Sequence, residues 1–259
     1  LLVYKKYRLL FIPVAALVLV FLFRDLTVHV YNYGVTGYFM GNTYGQVNTL
    51  TNIMYACDEE DRAVFEEGSL ELNFFDRFYA EAQERGLNYK FGGDSFAQRA
   101  AYLEDNHDIL KFQILEADLS AYYFSLGEVD YYEQSSMSDD MAGKMIKKLL
   151  PACFGQWLYD YILLCRNGFI RSIAVVHPLV NPVAFLLYLF AAGLALWSAF
   201  VKKKYPAAVV MGTALLFIAA NVCATSITIM CLSRYMIYGF SAFYIALFLL
   251  LREQMEKLH

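Results

Sequence analysis

Four stretches without a single charged side chain limit what this chain can fold into. They are Leu9–Phe23, Val183–Val201, Tyr205–Ser233 and Tyr235–Leu251. A helix rises about 1.5 Å per residue, so crossing the hydrocarbon core of a bilayer takes about 20 apolar residues, with about 17 as a lower limit. The second, third and fourth stretches are therefore expected to be transmembrane helices. The first is short, but Arg8 and Arg24 at its ends can snorkel, and Leu26–Val30 can lengthen it. Its basic start and apolar centre also fit a signal peptide. No small-x-small cleavage site follows, since Phe23-Arg24-Asp25 is large and charged. We read it as a membrane anchor.

The overall balance agrees. Hydrophobic residues make up 59% of the 259 and charged residues 18%, against roughly 45–50% and 25% in soluble domains. That excludes disorder, collagen-like repeats and a disulfide-dense miniprotein, and argues against an ordinary soluble enzyme. A net charge of −4 gives no electrostatic footprint for nucleic acid. Lys5, Lys6 and Arg8 precede the first stretch, Lys202–Lys204 separate the second and third, and Arg252 and Lys257 follow the fourth. The positive-inside rule places all three clusters in the cytoplasm, which four crossings allow. The expectation is an all-α integral membrane protein with four transmembrane helices and both termini cytoplasmic. Residues 1–25 form the basic start and first helix, and 26–181 an extracytoplasmic, mainly α-helical domain. Residues 182–251 supply three helices and 252–259 a cytoplasmic tail.

Residues 26–181 carry 22 acidic and 11 basic side chains, a net of −11, and are long enough for one domain with its own core. Leu70–Arg85 has apolar residues at 70, 74, 75, 78 and 82, with Gly86 where a C-terminal cap belongs. A seam at Phe96, Ala100, Leu103, His107, Leu110, Ile114, Ala117, Ala121 and Phe124 recurs at alternating four and three. The polar run Glu104–Asp108 is expected to break that helix, with Asn106 capping a new one. A helix over Asp140–Leu150 should stop at Pro151, and another over Ala152–Arg166 should end at Asn167-Gly168. Val30–Asn52, rich in Tyr, Gly, Asn and Thr, is expected to supply turns. Its aromatics at 31, 33, 38, 39 and 44 suit the headgroup level, whether in a substrate-facing loop or a plain connector.

The remaining chemistry is sparse. Three of the five cysteines, Cys57, Cys153 and Cys165, fall in the outer segment, an odd number for a disulfide framework. Cys153 and Cys165 stand twelve apart on one expected helix, about 18 Å of rise, too far to bridge; Cys57 could pair with either. No phosphate loop, dinucleotide fingerprint or nucleophile elbow occurs. Glu104-x-x-His107 is half of a metal-binding pair, but a site needs three or four ligands and a seam histidine is the plainer reading. Asp58–Asp61 reads as a solvated helix start, and Lys144, Lys147 and Lys148 as a solvated helix face. No cofactor or metal is implied.

Arginines at the outer membrane face are the better lead. Arg24 ends the first stretch outside, Arg171 precedes the second, and Arg234 opens the fourth. Guanidinium groups bind phosphate bidentately, so these three can grip a lipid phosphate. Snorkelling, or pairing with neighbours such as Asp25, is the alternative.

Ser233-Arg234-Tyr235-Met236 and the apolar run after it resemble the C-terminal membrane helix of bacterial multipass glycosyltransferases of the C superfamily, over about 20 residues of the 259. The resemblance implies transfer of a sugar from a polyprenyl-phosphate carrier on the outer face. It puts Arg234 and Tyr235 at the carrier phosphate. The family has many more spans and a catalytic carboxylate in its first outer loop; that motif is not evident here, and Asp25 stands in a different context. Since the chain starts at Leu1, it is read as the possible C-terminal part of a longer protein. Two alternatives stay open from the layout alone: a permease-type subunit coupled to a cytoplasmic ATPase, and a non-catalytic envelope assembly or receptor protein.

Overall fold

A computed structural model describes residues 11–43 and 45–255. Lys5, Lys6, Arg8, Tyr44 and Lys257 lie outside the described residues. Among the described residues the chain is helical, without strands, in ten α-helices: α1 (Phe11–Thr36), α2 (Gly45–Tyr55), α3 (Leu70–Glu84), α4 (Phe96–Asp108), α5 (Glu116–Ser125), α6 (Tyr131–Ala152), α7 (Phe154–Arg171), α8 (Val180–Phe200), α9 (Pro206–Thr228) and α10 (Ser233–Met255). Three of them, α8, α9 and α10, are long and apolar enough to cross a membrane. The expected fourth span lies partly outside the described residues, and what is described of it forms the first half of α1.

The helices between α1 and α8 pack around α2, of which Val47 and every residue from Leu50 to Tyr55 are buried. Its free N-terminal amides are capped from another helix: the Asp139 carboxylate of α6 accepts from Gln46 N at 2.8 Å and Val47 N at 3.1 Å. Helix α3 supplies Phe74, Phe75 and Phe78 to the same core. It ends as its sequence requires. Gly86 takes a φ of +68°, Leu87 N donates to Ala82 O at 2.7 Å and Gly86 N to Gln83 O at 3.1 Å, which is a Schellman cap. Asp58 and Asp61 form a capping box on the 3-10 turn Glu59–Val64. Lys144 and Lys147 are solvated, while Lys148 reaches Glu71 at 3.6 Å.

Several expectations for this segment need correcting. The chain does not break at Glu104–Asp108: α4 passes through a π-helical stretch, Ile109–Leu115, straight into α5, and Asn106 caps nothing, its amide bonding back to Tyr102 O at 2.9 Å. The π stretch holds one extra residue, which advances the buried stripe by one position. Ala100, Leu103, His107, Leu110 and Ile114 are buried as the seam requires, but beyond them Leu115, Leu119 and Tyr123 replace Ala117, Ala121 and Phe124. Helix α6 begins nine residues before Asp140, because Asp130 caps it by accepting from Tyr132 N and Glu133 N, and it runs through Pro151. Helix α7 continues past Asn167-Gly168 to Arg171. Gly168 is no cap. A Cβ there would lie 2.7 Å from Cys231 Sγ and 2.9 Å from a Val222 methyl, so the glycine lets α7 press onto the C-terminal end of α9.

Most of the run expected to be turn-rich is helix, in α1 up to Thr36 and in α2 from Gly45. Helix α1 continues through Thr36, its Thr27 and Thr36 hydroxyls bonding back to carbonyls four residues earlier. It stops at Gly37, with φ +81°. Tyr31, Tyr33 and Phe39 are exposed.

Candidate functional site

The three arginines singled out in the sequence meet three different fates. Arg171, on the last turn of α7, is held between α4 and the α9–α10 turn. It donates to both Glu104 oxygens, at 2.7 and 2.8 Å, and to Cys231 O at 3.1 Å. This is a bidentate pair with both side chains largely covered. Glu104 holds the guanidinium charged and raises its pKa. With Glu104 and Cys231 O occupying it, Arg171 is a strut and not a free phosphate ligand. Glu104 is likewise spent on Arg171, so it and His107 do not act together. His107 turns into the core with neither ring nitrogen hydrogen-bonded, and burial lowers its pKa to about 4. Among the described residues no cluster of His, Cys, Asp and Glu could hold a metal ion.

Arg234 is exposed on the first turn of α10. Its guanidinium lies 5.0 Å over the Tyr235 ring and donates to the Tyr235 hydroxyl at 3.1 Å. Arg234 and Arg171 thus flank the same α9–α10 turn, one free toward solvent and one tied down.

Arg24 stands apart. It is exposed, and makes no hydrogen bond or ion pair to any described residue. It opens a cleft of about 360 Å³ between α1, the return loop 37–43 and the start of α6. Asn32, Thr36, Thr43, Tyr131 and Tyr132 line that cleft with it. The Asn32 amide donates to Met40 O at 2.8 Å and Gly41 O at 3.1 Å, folding the loop back against the helix. Thr43 Oγ1 meets Ser135 Oγ at 2.8 Å, fixing the loop's far end to α6. At the rim the Tyr38 hydroxyl donates to Asp130 at 2.5 Å, and this bond keeps the Asp130 carboxyl below its ordinary range. Asp130 also caps α6. Among the described residues the lining offers one cation, Arg24, and no carboxylate or histidine.

The cleft escaped the sequence reading for a definite reason. Arg24, Val28, Asn32 and Thr36 recur at every fourth position and form one stripe of a helix. That stripe is invisible once the helix is ended at Val30. Tyr131 and Tyr132 carried no local signal, since only the fold of the return loop brings them there. No protein family, curated protein or solved structure shows a significant match to this chain.

Proposed function

We propose that this is a cell-envelope membrane protein that binds the phosphate of a membrane lipid at the Arg24 cleft, on the outer face. The observation that carries the reading is a guanidinium without a protein partner at the mouth of a polar, tyrosine-rimmed cleft, on a helix whose preceding residues, Val18–Phe23, are 52–72% exposed and apolar. A phosphate in the cleft would meet Arg24 while its hydrocarbon chains run along that apolar side of α1. The reading assumes four crossings with both termini cytoplasmic and residues 26–181 outside. It is supported by the basic residues at the ends of the apolar stretches and by the three helices able to cross. A lipid-linked-sugar transferase, or part of one, is the activity proposed from the resemblance of the last helix. In that case the bound phosphate is that of a polyprenyl carrier, with Arg234 and Tyr235 as a second contact.

The test is photo-crosslinking of a polyprenyl-phosphate probe to the full chain in vesicles. Arg24→Ala is expected to lose most of the label and Arg234→Ala to keep most of it. Undiminished labelling of Arg24→Ala would sink the reading. Competition by phosphatidylglycerol as strong as by unlabelled polyprenyl phosphate would identify a phospholipid headgroup as the ligand; competition by the polyprenyl phosphate alone would identify the carrier.

A further inference from the structure

Helix α7 is built inside out. Its outward face presents Phe154 at 47%, Tyr159 at 48% and Ile162 at 55% exposure, with Leu158 half-buried between them and Arg166, also half-buried, one turn beyond Ile162. Its inward face carries Asp160, only 2% exposed, and buried Asn167, beside Leu164 and Ile170. The buried carboxylate is met by Gln156, whose amide lies 3.2 Å from both oxygens, and burial pushes its carboxyl up to about 6. A helix between core and water does the reverse, as α3 does in the same domain: Phe74, Phe75 and Phe78 point in, while Asn73, Arg77 and Glu84 point out. A polar side turned inward and an apolar side turned outward suit a helix whose outside is lipid.

Its position fits. The second half of α7 is seated on the outer ends of the membrane helices, with the Tyr161 hydroxyl on Cys223 O at 3.3 Å and Gly168 against Val222 and Cys231. Just beyond it, Ser172 lies against Gly239 of α10, and the Tyr244 hydroxyl bonds Ile173 O at 2.8 Å. Past Arg166, half-buried with its guanidinium on Asn167 Oδ1, the exposed apolar surface continues through Val175 and Leu179 into Val183 and Leu186 on α8. Phe96, stacked on Tyr159 at 3.7 Å, widens it toward the domain.

From this reversal and continuity we infer that α7 lies along the outer membrane surface with its Phe154–Tyr159–Ile162 face sunk among the lipids, so that bilayer and not water covers the underside of the outer domain. The inference rests on α8 crossing the membrane, as the proposed topology has it, and adds a lipid contact that no spanning segment supplies.

The test uses the full chain in phosphatidylcholine vesicles with tryptophan as the probe. In a Trp157→Phe/Trp197→Phe background, Ile162→Trp and, as a milder second variant, Tyr159→Trp report on the face. Leu189→Trp on exposed α8 and Glu128→Trp on the α5–α6 turn are controls. The α7 probes are expected to lose most of their emission to lipids brominated on the acyl chain and little to aqueous iodide, as Leu189→Trp does; Glu128→Trp should show the opposite. If the α7 probes follow Glu128→Trp, the face is in water and the inference is overturned. If neither quencher reaches them, a second copy or another protein covers the face, which overturns it equally. Failure of Leu189→Trp itself to respond to brominated lipid would overturn the membrane reading of α8 as well, which separates the two failures.

Discussion

The domain formed by α2–α7 is filled by Tyr55, Phe74, Phe75 and Phe78, each almost wholly buried, whereas the bundle of α8, α9 and α10 buries Ala184, Ala191, Ala195, Ala207, Ala208, Ala214 and Ala246. The difference is what two solvents would produce, α8, α9 and α10 being long and apolar enough to cross a membrane. In water, burying an aromatic side chain removes a large apolar area, at about 25 cal/mol per Å². In lipid the tails are as apolar as the side chains, so helices gain by close approach, and small residues permit it. Leu189, Phe190 and Phe200 point out, while Phe243, Met211, Met236 and Leu250 are fully buried among the alanines. Helix α7 joins the two regimes, and Arg171 bolts them together through Glu104 on one side and Cys231 O on the other.

The sharpest way to break this contrast is to truncate one aromatic in the domain. Phe78→Ala should cost about 3–5 kcal/mol, lost transfer free energy plus a cavity, measured as a lower denaturant midpoint of the detergent-solubilised chain. Next comes the strut. Arg171→Ala should cost about 2–3 kcal/mol, since it strands a mostly covered carboxylate, and adding Glu104→Leu should recover most of it. An unimproved double variant would show that the pair does not carry the loss.

A pH profile comes third, because two buried groups of the domain pull in opposite directions. His107 titrates at about 4 when folded and near 6.5 when unfolded. The unfolded chain therefore takes up its proton first, and stability falls as pH drops through that interval. Asp160 titrates at about 6 when folded against 3.8 unfolded, so the folded chain takes up its proton first and stability rises between those values as pH drops. The two offset in the natural chain. Asp160→Asn removes the compensating half, so going from about pH 7 to about pH 4.5 should cost the variant about 2 kcal/mol more than it costs the parent. Equal slopes would refute the opposition. Smaller again are the bundle variants: Ala191→Leu should overpack and cost about 1–3 kcal/mol, while Leu189→Ala, on the outside, should stay within about 0.5 kcal/mol.

Much of the architecture is legible in the sequence where local rules act alone. Leu70–Arg85 with Gly86 is read nearly to the residue, because amphipathic spacing and a glycine cap agree there. The uncharged stretches of α8, α9 and α10 need only counting. Other signals misled for physical reasons. Gly34, Asn32 and Thr36 look like turn chemistry, yet α1 passes through them because threonine hydroxyls and the Asn32 amide find backbone partners that let the helix continue. Asn167-Gly168 looks like a stop and is instead a contact point for a neighbouring helix. The π stretch at Ile109–Leu115 leaves no mark in composition, only a stripe that moves by one residue.

The candidate site divides in the same way. Charge placement picked out Arg24, Arg171 and Arg234, since an arginine beside an apolar run needs a reason from sequence alone. Which of the three is free was decided by tertiary contacts: Glu104 lies 67 positions before Arg171, and no local rule connects them. Sequence by itself thus determined the membrane-compatible helices, the acidic helical segment between them and the short list of cations, because hydrophobic length and charge are properties of single segments. Only the tertiary structure decided that Arg171 is a strut, that Arg24 opens a cleft and that α7 wears its apolar side outward, because each depends on what a distant helix places against it.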